Sequence, residues 1–461
     1  MPTTNTILGW LTATVVVLSS GLAASRQDQD RPLLLGGALP SKKREIRLDP
    51  RLPTGVWREF SLRPELVSPL RACSFTRPVC VQGTPGVEEP QVARALAAME
   101  LAYERVVIAL GMPAPLPDGT RGGSDALDLY LVQEGPLIDV GLDAQSFGLF
   151  DQGSSFCRSS AAGALELERA ATQCVGEAIV RRLDAGATPH GARAFATHLW
   201  WVTGRPTALD VEALDNFQAS PERAPYRRDL NALSEGAAAW FELLEATRGR
   251  GSPAGMASAI MTLAGSTSAV QSPRWNNEPD ALDVLRHTLN DDPFEVSKLM
   301  AQWSVERAFV GSRDDGTGAK NLRWGGDFGR VRFDWRMKYS ELPRRVAAKY
   351  PLEPTGNIYV LLELDDVALG ATLGFQAEWE APVAFAWTLV LLDAEGHELR
   401  RLDVPFKEAA RSTEQRLSNF EVAAYVMLVG TNMGGLDRDH PFDPDIAPYE
   451  PQSCTVYLVR L

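Results

Sequence analysis

A chain of 461 residues is long enough for two or three domains, and 45% hydrophobic residues is the composition of packed globular cores rather than of a disordered or fibrous chain. A formal net charge of −13 repels polyanions, which argues against nucleic acid or anionic lipid as a partner. The five cysteines, at positions 73, 80, 157, 174 and 454, form no CxxC and have no histidine at ligand spacing, so a sulfur-based zinc centre is not indicated.

The first element is a short apolar run over 7–24 that ends in small residues, with Ala23 and Ser25 suiting cleavage before Arg26. It reads as a secretory signal, with an uncleaved anchor as the alternative, and places the protein outside the cell, in the periplasm or in the cell envelope. No second apolar run of spanning length follows, so no membrane span is expected after cleavage. In an oxidising compartment the close pairs Cys73/Cys80 and Cys157/Cys174 are the natural disulfide partners, leaving Cys454 as the odd thiol. Residues 26–89 are rich in Pro and Arg and read as an irregular arm packed on something else.

From 90 to 350 helical signals dominate. Val92, Leu96, Met99, Tyr103, Val106 and Leu110 recur at the helical period, and Gly111 with Pro113 closes that helix. Further helices are predicted at about 163–184, 190–203, 231–248, 254–264, 279–290 and 293–309, with a strand at LDLYLV, 127–132. From about Thr355 the period changes to two, with Pro351 and Pro354 marking the boundary. NIYVLLEL, ATLGFQAEWE, AFAWTLVLLD, HELRRLDV, AAYVMLVG and CTVYLVRL read as strands, with DAEG as a hairpin turn. The fold class expected is α+β, an α-rich domain followed by an antiparallel β-sandwich over 351–461.

Two stretches carry the chemistry: RAFATHLWWVTG, 193–204, and SEGAAAWFELLE, 234–245. Together they resemble a degenerate zinc metallopeptidase domain of the gluzincin kind. In that family an HExxH helix supplies two His ligands and a Glu base, and a following helix supplies a third ligand. The resemblance implies a strand lining a substrate cleft ahead of the two helices, which the strand at 127–132 would supply. With His198 as the second histidine, Ala194 and Phe195 stand at the ligand and base positions. His198 and Glu235 are then the vestigial site candidates, two ligands where a catalytic zinc needs three. His190 is eight residues from His198, about 12 Å along one helix, too far to share an ion. Zinc is therefore not expected. His198 is read as a helix residue packed among Trp200 and Trp201, and Glu235 as capping or pairing locally.

Asp437, Asp439, Asp443 and Asp445 lie at near-alternate positions in one loop, where carboxylates can converge on calcium. Phe442 and Pro448 occupy the places where an EF-hand loop needs Gly and Glu. The reading is therefore a Pro-stiffened connection whose Asp side chains cap turns, with calcium as the alternative. The acidic turn at Asp314 and Asp315 reads as a solvated loop. GxSxG, GxxxxGK[ST] and GxGxxG after a strand are all absent.

The chain after the signal is also similar to uncharacterised secreted bacterial proteins that share EGAAAWFELLE, RWNNEPDALDVLRHTL, VERAFVGSRDDG and PFDPDIAPYEP, a resemblance that implies the same two-domain architecture. The function expected is that of an exported, non-catalytic binding or structural protein on a degenerate metallopeptidase scaffold. Its expected partner is an envelope or extracellular protein or peptide. The alternative is an active zinc metallopeptidase with non-standard ligands.

Overall fold

The computed structural model describes residues 61–64, 70–143, 152–226, 230–248, 253–264, 281, 284–285, 293–310, 329–380, 383–405, 410–434 and 451–461. Its first sheet has five strands: β1 (Arg71–Cys73), β2 (Val79–Gly83), β3 (Leu127–Leu131), β4 (Asp139–Leu142) and β5 (Ser155–Ser159). They lie in the order β1-β2-β3-β5-β4. The pairs β2/β3 and β3/β5 are parallel, and β1 and β4 close the edges antiparallel. Every residue of β2 and β3 is buried, as expected of inner strands covered on both faces. The LDLYL strand is thus the middle of the sheet, where the sequence reading made it a cleft edge; the edge beside the helices is β4. The arm expected over 26–89 also ends earlier than proposed, because from Arg71 onward the chain forms β1 and β2.

Helix α1 (Glu89–Tyr103) crosses from β2 to β3 and runs on into a π-helical turn, Glu104–Ala109. Helix α2 (Ala164–Leu183) follows β5 and is tied to it by the Cys157–Cys174 disulfide, while Cys73–Cys80 staples the β1–β2 hairpin. Then come α3 (Pro189–Thr203), α4 (Ala208–Ala219), α5 (Ala238–Arg248), α6 (Gly255–Ala264) and α7 (Pro293–Glu306). Helix α4 was not predicted, yet its start carries a reciprocal cap between Thr207 and Asp210 that the sequence displays as T-x-x-D. The segment expected as helix from 231 is a run of turns until Ala238. Gly236 in that run is there for space: a Cβ would lie 2.3 Å from the Ala213 carbonyl oxygen, so only glycine lets the turn press on α4.

The C-terminal part contains β6 (Trp335–Lys338), β7 (Arg344–Ala347), β8 (Asn357–Glu363), β9 (Thr372–Trp379), β10 (Phe385–Leu392), β11 (Glu398–Asp403), β12 (Ser412–Ser418), β13 (Tyr425–Asn432) and β14 (Cys454–Arg460). One sheet runs β11-β10-β13-β8-β6 and the other β12-β9-β14-β7. Ile358, Val360, Leu389 and Leu428 from the first sheet share one buried cluster with Phe375, Ala377, Val456 and Leu458 from the second. The other face of the first sheet, through Tyr359, Val390 and Val429, packs on Val305 and Phe309 at the end of α7. Two sequence expectations are corrected. Strands β6 and β7 precede Pro351 but pair with β8 and β14, so the domain boundary lies before residue 335; and β6 pairs with β8 in parallel, so the sheets are not wholly antiparallel. The DAEG turn joins β10 to β11 as predicted, with Gly396 at φ 91°.

Arg307, just beyond α7, ties the end of that helix to α4. Its Nε donates to Gln218 Oε1 at 2.6 Å, its Nη2 to the Phe217 carbonyl at 2.7 Å, and its guanidinium stacks 4.2 Å from the Phe217 ring centre. Among the described residues no helix is long and apolar enough to cross a membrane.

Candidate functional site

Helices α2 and α3 each carry a buried polar stripe. On α2, Arg169, Gln173 and Glu177 recur every four residues; on α3, Arg193 and Thr197 do the same, so each set lies on one face. The stripes meet, and Glu235, in the turn before α5, closes over them. Arg169 Nη2 donates to Glu235 Oε2 at 2.6 Å and its Nε to Asp210 Oδ1 at 2.9 Å. Gln173 Nε2 donates to Thr197 Oγ1 at 2.9 Å and to Glu235 Oε1 at 3.3 Å. Arg193 binds Glu177 through Nε, reaches Glu235 Oε1 with Nη1 at 3.4 Å and donates to the Ile138 carbonyl, next to β4, at 3.3 Å. Asp210 is further held by the indole N–H groups of Trp200 at 2.9 Å and Trp201 at 3.2 Å.

Three carboxylates, those of Glu177, Asp210 and Glu235, thus surround two guanidinium groups. Glu235 keeps 24% side-chain exposure while Arg169 and Asp210 are sealed at 1% and 0%. Burial opposes the charge on Arg169, but the carboxylates of Glu235 and Asp210 outweigh it and leave its pKa raised; Arg193 is raised in the same way by Glu177 and Glu235 against its burial.

His198 and Glu235, paired in the sequence reading, have separate partners. His198 is one residue past Thr197, about 100° around the helix, and is fully buried between Glu242, 3.0 Å from Nδ1, and Glu245, 3.7 Å from Nε2. Burial disfavours its charge, but the two glutamates prevail and push its pKa up to about 9. Glu245 also accepts from the backbone N–H groups of Met256 at 3.2 Å and Ala257 at 3.0 Å, at the start of α6. Ala194 and Phe195 are core residues, with Phe195 edge-on to Phe241. The α3 residues that face Glu235 are instead Arg193 and Thr197, one position earlier than the register read from the sequence. Asp437, Asp439, Asp443 and Asp445 lie outside the described residues, as do the apolar run at 7–24 and the turn at Asp314 and Asp315.

Zinc does not fit what surrounds Glu235. A guanidinium is a permanent cation with no lone pair to give, and Arg193 stands where a ligand would be needed. Both Glu235 oxygens already accept from N–H donors. A second pair, missed in the sequence, joins Ser234 Oγ to His190 Nδ1 at 2.9 Å, with His190 Nε2 donating to the Pro225 carbonyl at 2.9 Å. Ser234 is buried at 0%, and the cavity beside His190, Ala194, Tyr226 and Trp240 holds about 40 Å³, room for water and not for a peptide. The signal that could have revealed the Glu235 cluster was the four-residue spacing of polar groups on both helices.

No protein-family model matches the chain, and no curated protein matches it. Among solved structures, the pre-peptidase C-terminal domain of a Bacillus anthracis collagenase aligns at 8% identity over 28% of this chain and 98% of that one, with a TM-score of 0.18. A bacteriophage CBA120 tailspike protein 4 domain aligns at 11% identity over 25% of this chain and 15% of its own, with a TM-score of 0.17. The Yersinia pseudotuberculosis-derived mitogen aligns at 9% identity over 26% of this chain and 86% of its own, also with a TM-score of 0.17.

Proposed function

We propose that this is an exported, non-catalytic binding protein, built from a degenerate metallopeptidase-like helical domain and a C-terminal β-sandwich. The observation that carries the reading is the clamp on Glu235. A catalytic carboxylate must be free to take a proton or to bind an ion. Glu235 is saturated by Arg169, Arg193 and Gln173, so the positive charge that a metal would bring comes from the chain itself. The cluster then serves as a polar joint that locks α2, α3 and the 231–237 turn. Binding has room elsewhere: a cleft of about 520 Å³ between α7 and β10–β11, lined by Lys298, Gln302, Thr388, Arg401 and Asp403, has the size of a small-ligand site. The two disulfides suit an oxidising location.

Elemental analysis and peptidase assays of the purified protein test this reading. Zinc well below one per chain and no chelator-sensitive hydrolysis are expected. Stoichiometric zinc with chelator-sensitive proteolysis would show an active metallopeptidase with non-standard ligands and overturn it.

A further inference from the structure

We propose that Asp118, Asp128 and Asp143 form a recognition pocket for an arginine side chain on an extended peptide, and that this chain's own residues 61–64 occupy it in cis. The proposal goes beyond the Glu235 reading and survives its failure, since the two sites share no residue.

The pocket surrounds a guanidinium with carboxylates and one carbonyl. Arg63 Nε and Nη2 form a fork on the two oxygens of Asp143, each at 2.8 Å; Nη2 also lies 2.6 Å from Asp118 Oδ2. Nη1 donates to Asp128 and, at 3.1 Å, to the Arg121 carbonyl. Four of the five N–H bonds of the group therefore have a hydrogen-bond partner, Asp118 faces Nη2 as an ion pair, and the guanidinium carbon sits 5.1 Å from the Phe156 ring centre.

The walls are shaped independently of the occupant. Gln82 Nε2 donates to Asp128 Oδ1 at 2.8 Å and Ser154 Oγ to Asp143 Oδ2 at 2.8 Å, which orients both carboxylates from the sheet and its loops. Gly122 is required by the close approach, because a Cβ there would fall 2.0 Å from Asp128 Oδ2 and 2.8 Å from Arg63 Nη1. The three carboxyl side chains are 1%, 0% and 3% exposed, so the pocket is a sealed well of three acidic groups facing one guanidinium. Both Asp118 oxygens are buried without a hydrogen-bond donor, and burial, ahead of its acidic neighbours, pushes the Asp118 pKa up to about 6.

Among the described residues, the occupant is held by this side chain and one backbone bond. Ser61 N–H donates to the Leu142 carbonyl at 3.1 Å, adding a residue to the edge of β4, and Gly141 leaves room for it, since a Cβ there would lie 2.7 Å from Ser61 Cβ. Leu62 between them is 88% exposed. An arginine anchor on a strand added to a sheet edge is a mode that any extended Arg peptide can copy.

The test is calorimetric titration of the full mature chain with acetyl-Ser-Leu-Arg-Pro-amide. The Arg63→Ala variant should bind one peptide per chain, at least tenfold more tightly than the wild type, in which the cis segment competes at high effective concentration. Adding Asp143→Asn to that variant should abolish binding, and replacing the peptide's Arg by citrulline should do the same. As a measurement that needs no variant, millimolar peptide should speed hydrogen exchange at the Ser61 amide of the wild type severalfold. Equal affinity of wild type and Arg63→Ala, retention of binding with the citrulline peptide, or no binding to folded Arg63→Ala would each overturn the proposal. If Arg63→Ala does not fold, unchanged exchange at Ser61 in the wild type overturns it instead.

Discussion

Arg169 and Glu235 meet at 2.6 Å, and the same guanidinium holds Asp210 at 2.9 Å, so one side chain of α2 pins both the start of α4 and the turn before α5. The two acids differ in what they lose without it. Asp210 is sealed, whereas Glu235 reaches solvent. Arg169→Ala should therefore cost about 3–5 kcal/mol, the range for stranding a buried charge, and Glu235→Gln about 1 kcal/mol or less. Urea unfolding of both variants checks the ordering, which equal losses would contradict.

His198 makes stability depend on pH in a stated direction. Its folded pKa of about 9 lies above the ordinary value of 6.5, so its contribution is complete below about pH 6.5 and is lost as pH rises through 9. The wild type should lose a few kcal/mol more than His198→Gln between those limits. Thermal melts of both proteins across that window test this, and parallel curves would mean that His198 is neutral in the fold.

The sulfur chemistry divides sharply. Cys73–Cys80 and Cys157–Cys174 are bonded, and Cys454 is a buried free thiol whose ionisation burial strongly opposes. The sequence made Cys454 the alkylatable thiol; burial restricts that to the unfolded chain. Native protein should take up no iodoacetamide at Cys454 and denatured, unreduced protein one equivalent. Replacing Cys157 and Cys174 by Ser should cost about 3 kcal/mol, from the chain entropy of a loop of that size.

Arg307 should prove to be the joint between the end of α7 and α4. It is fully buried, with partners in Gln218 and Phe217, and burial pushes its pKa down to about 10. Arg307→Ala removes two hydrogen bonds and the ring contact and should cost about 3 kcal/mol or more. Urea unfolding of the variant checks this loss, which an unchanged midpoint would contradict.

What the sequence determined by itself was local. The strand-like runs at 357–364 and 423–430 wrote out inner strands, the Asp393–Gly396 turn joined β10 to β11, and the short separations of Cys73/Cys80 and Cys157/Cys174 selected the disulfides. All of these depend on neighbours within one element or one short loop. What only the tertiary structure decided was which side chains meet. Arg63 lies 80 residues from Asp143, and Arg169 lies 66 from Glu235; nothing in either local pattern says that they touch. The same limit put Glu235 with His198 in the sequence reading. A one-residue change of helix register turns a side chain by about 100°, and the packing of α2 against α3 is what brings Arg193 and Thr197 to the Glu235 face and sends His198 to Glu242 and Glu245.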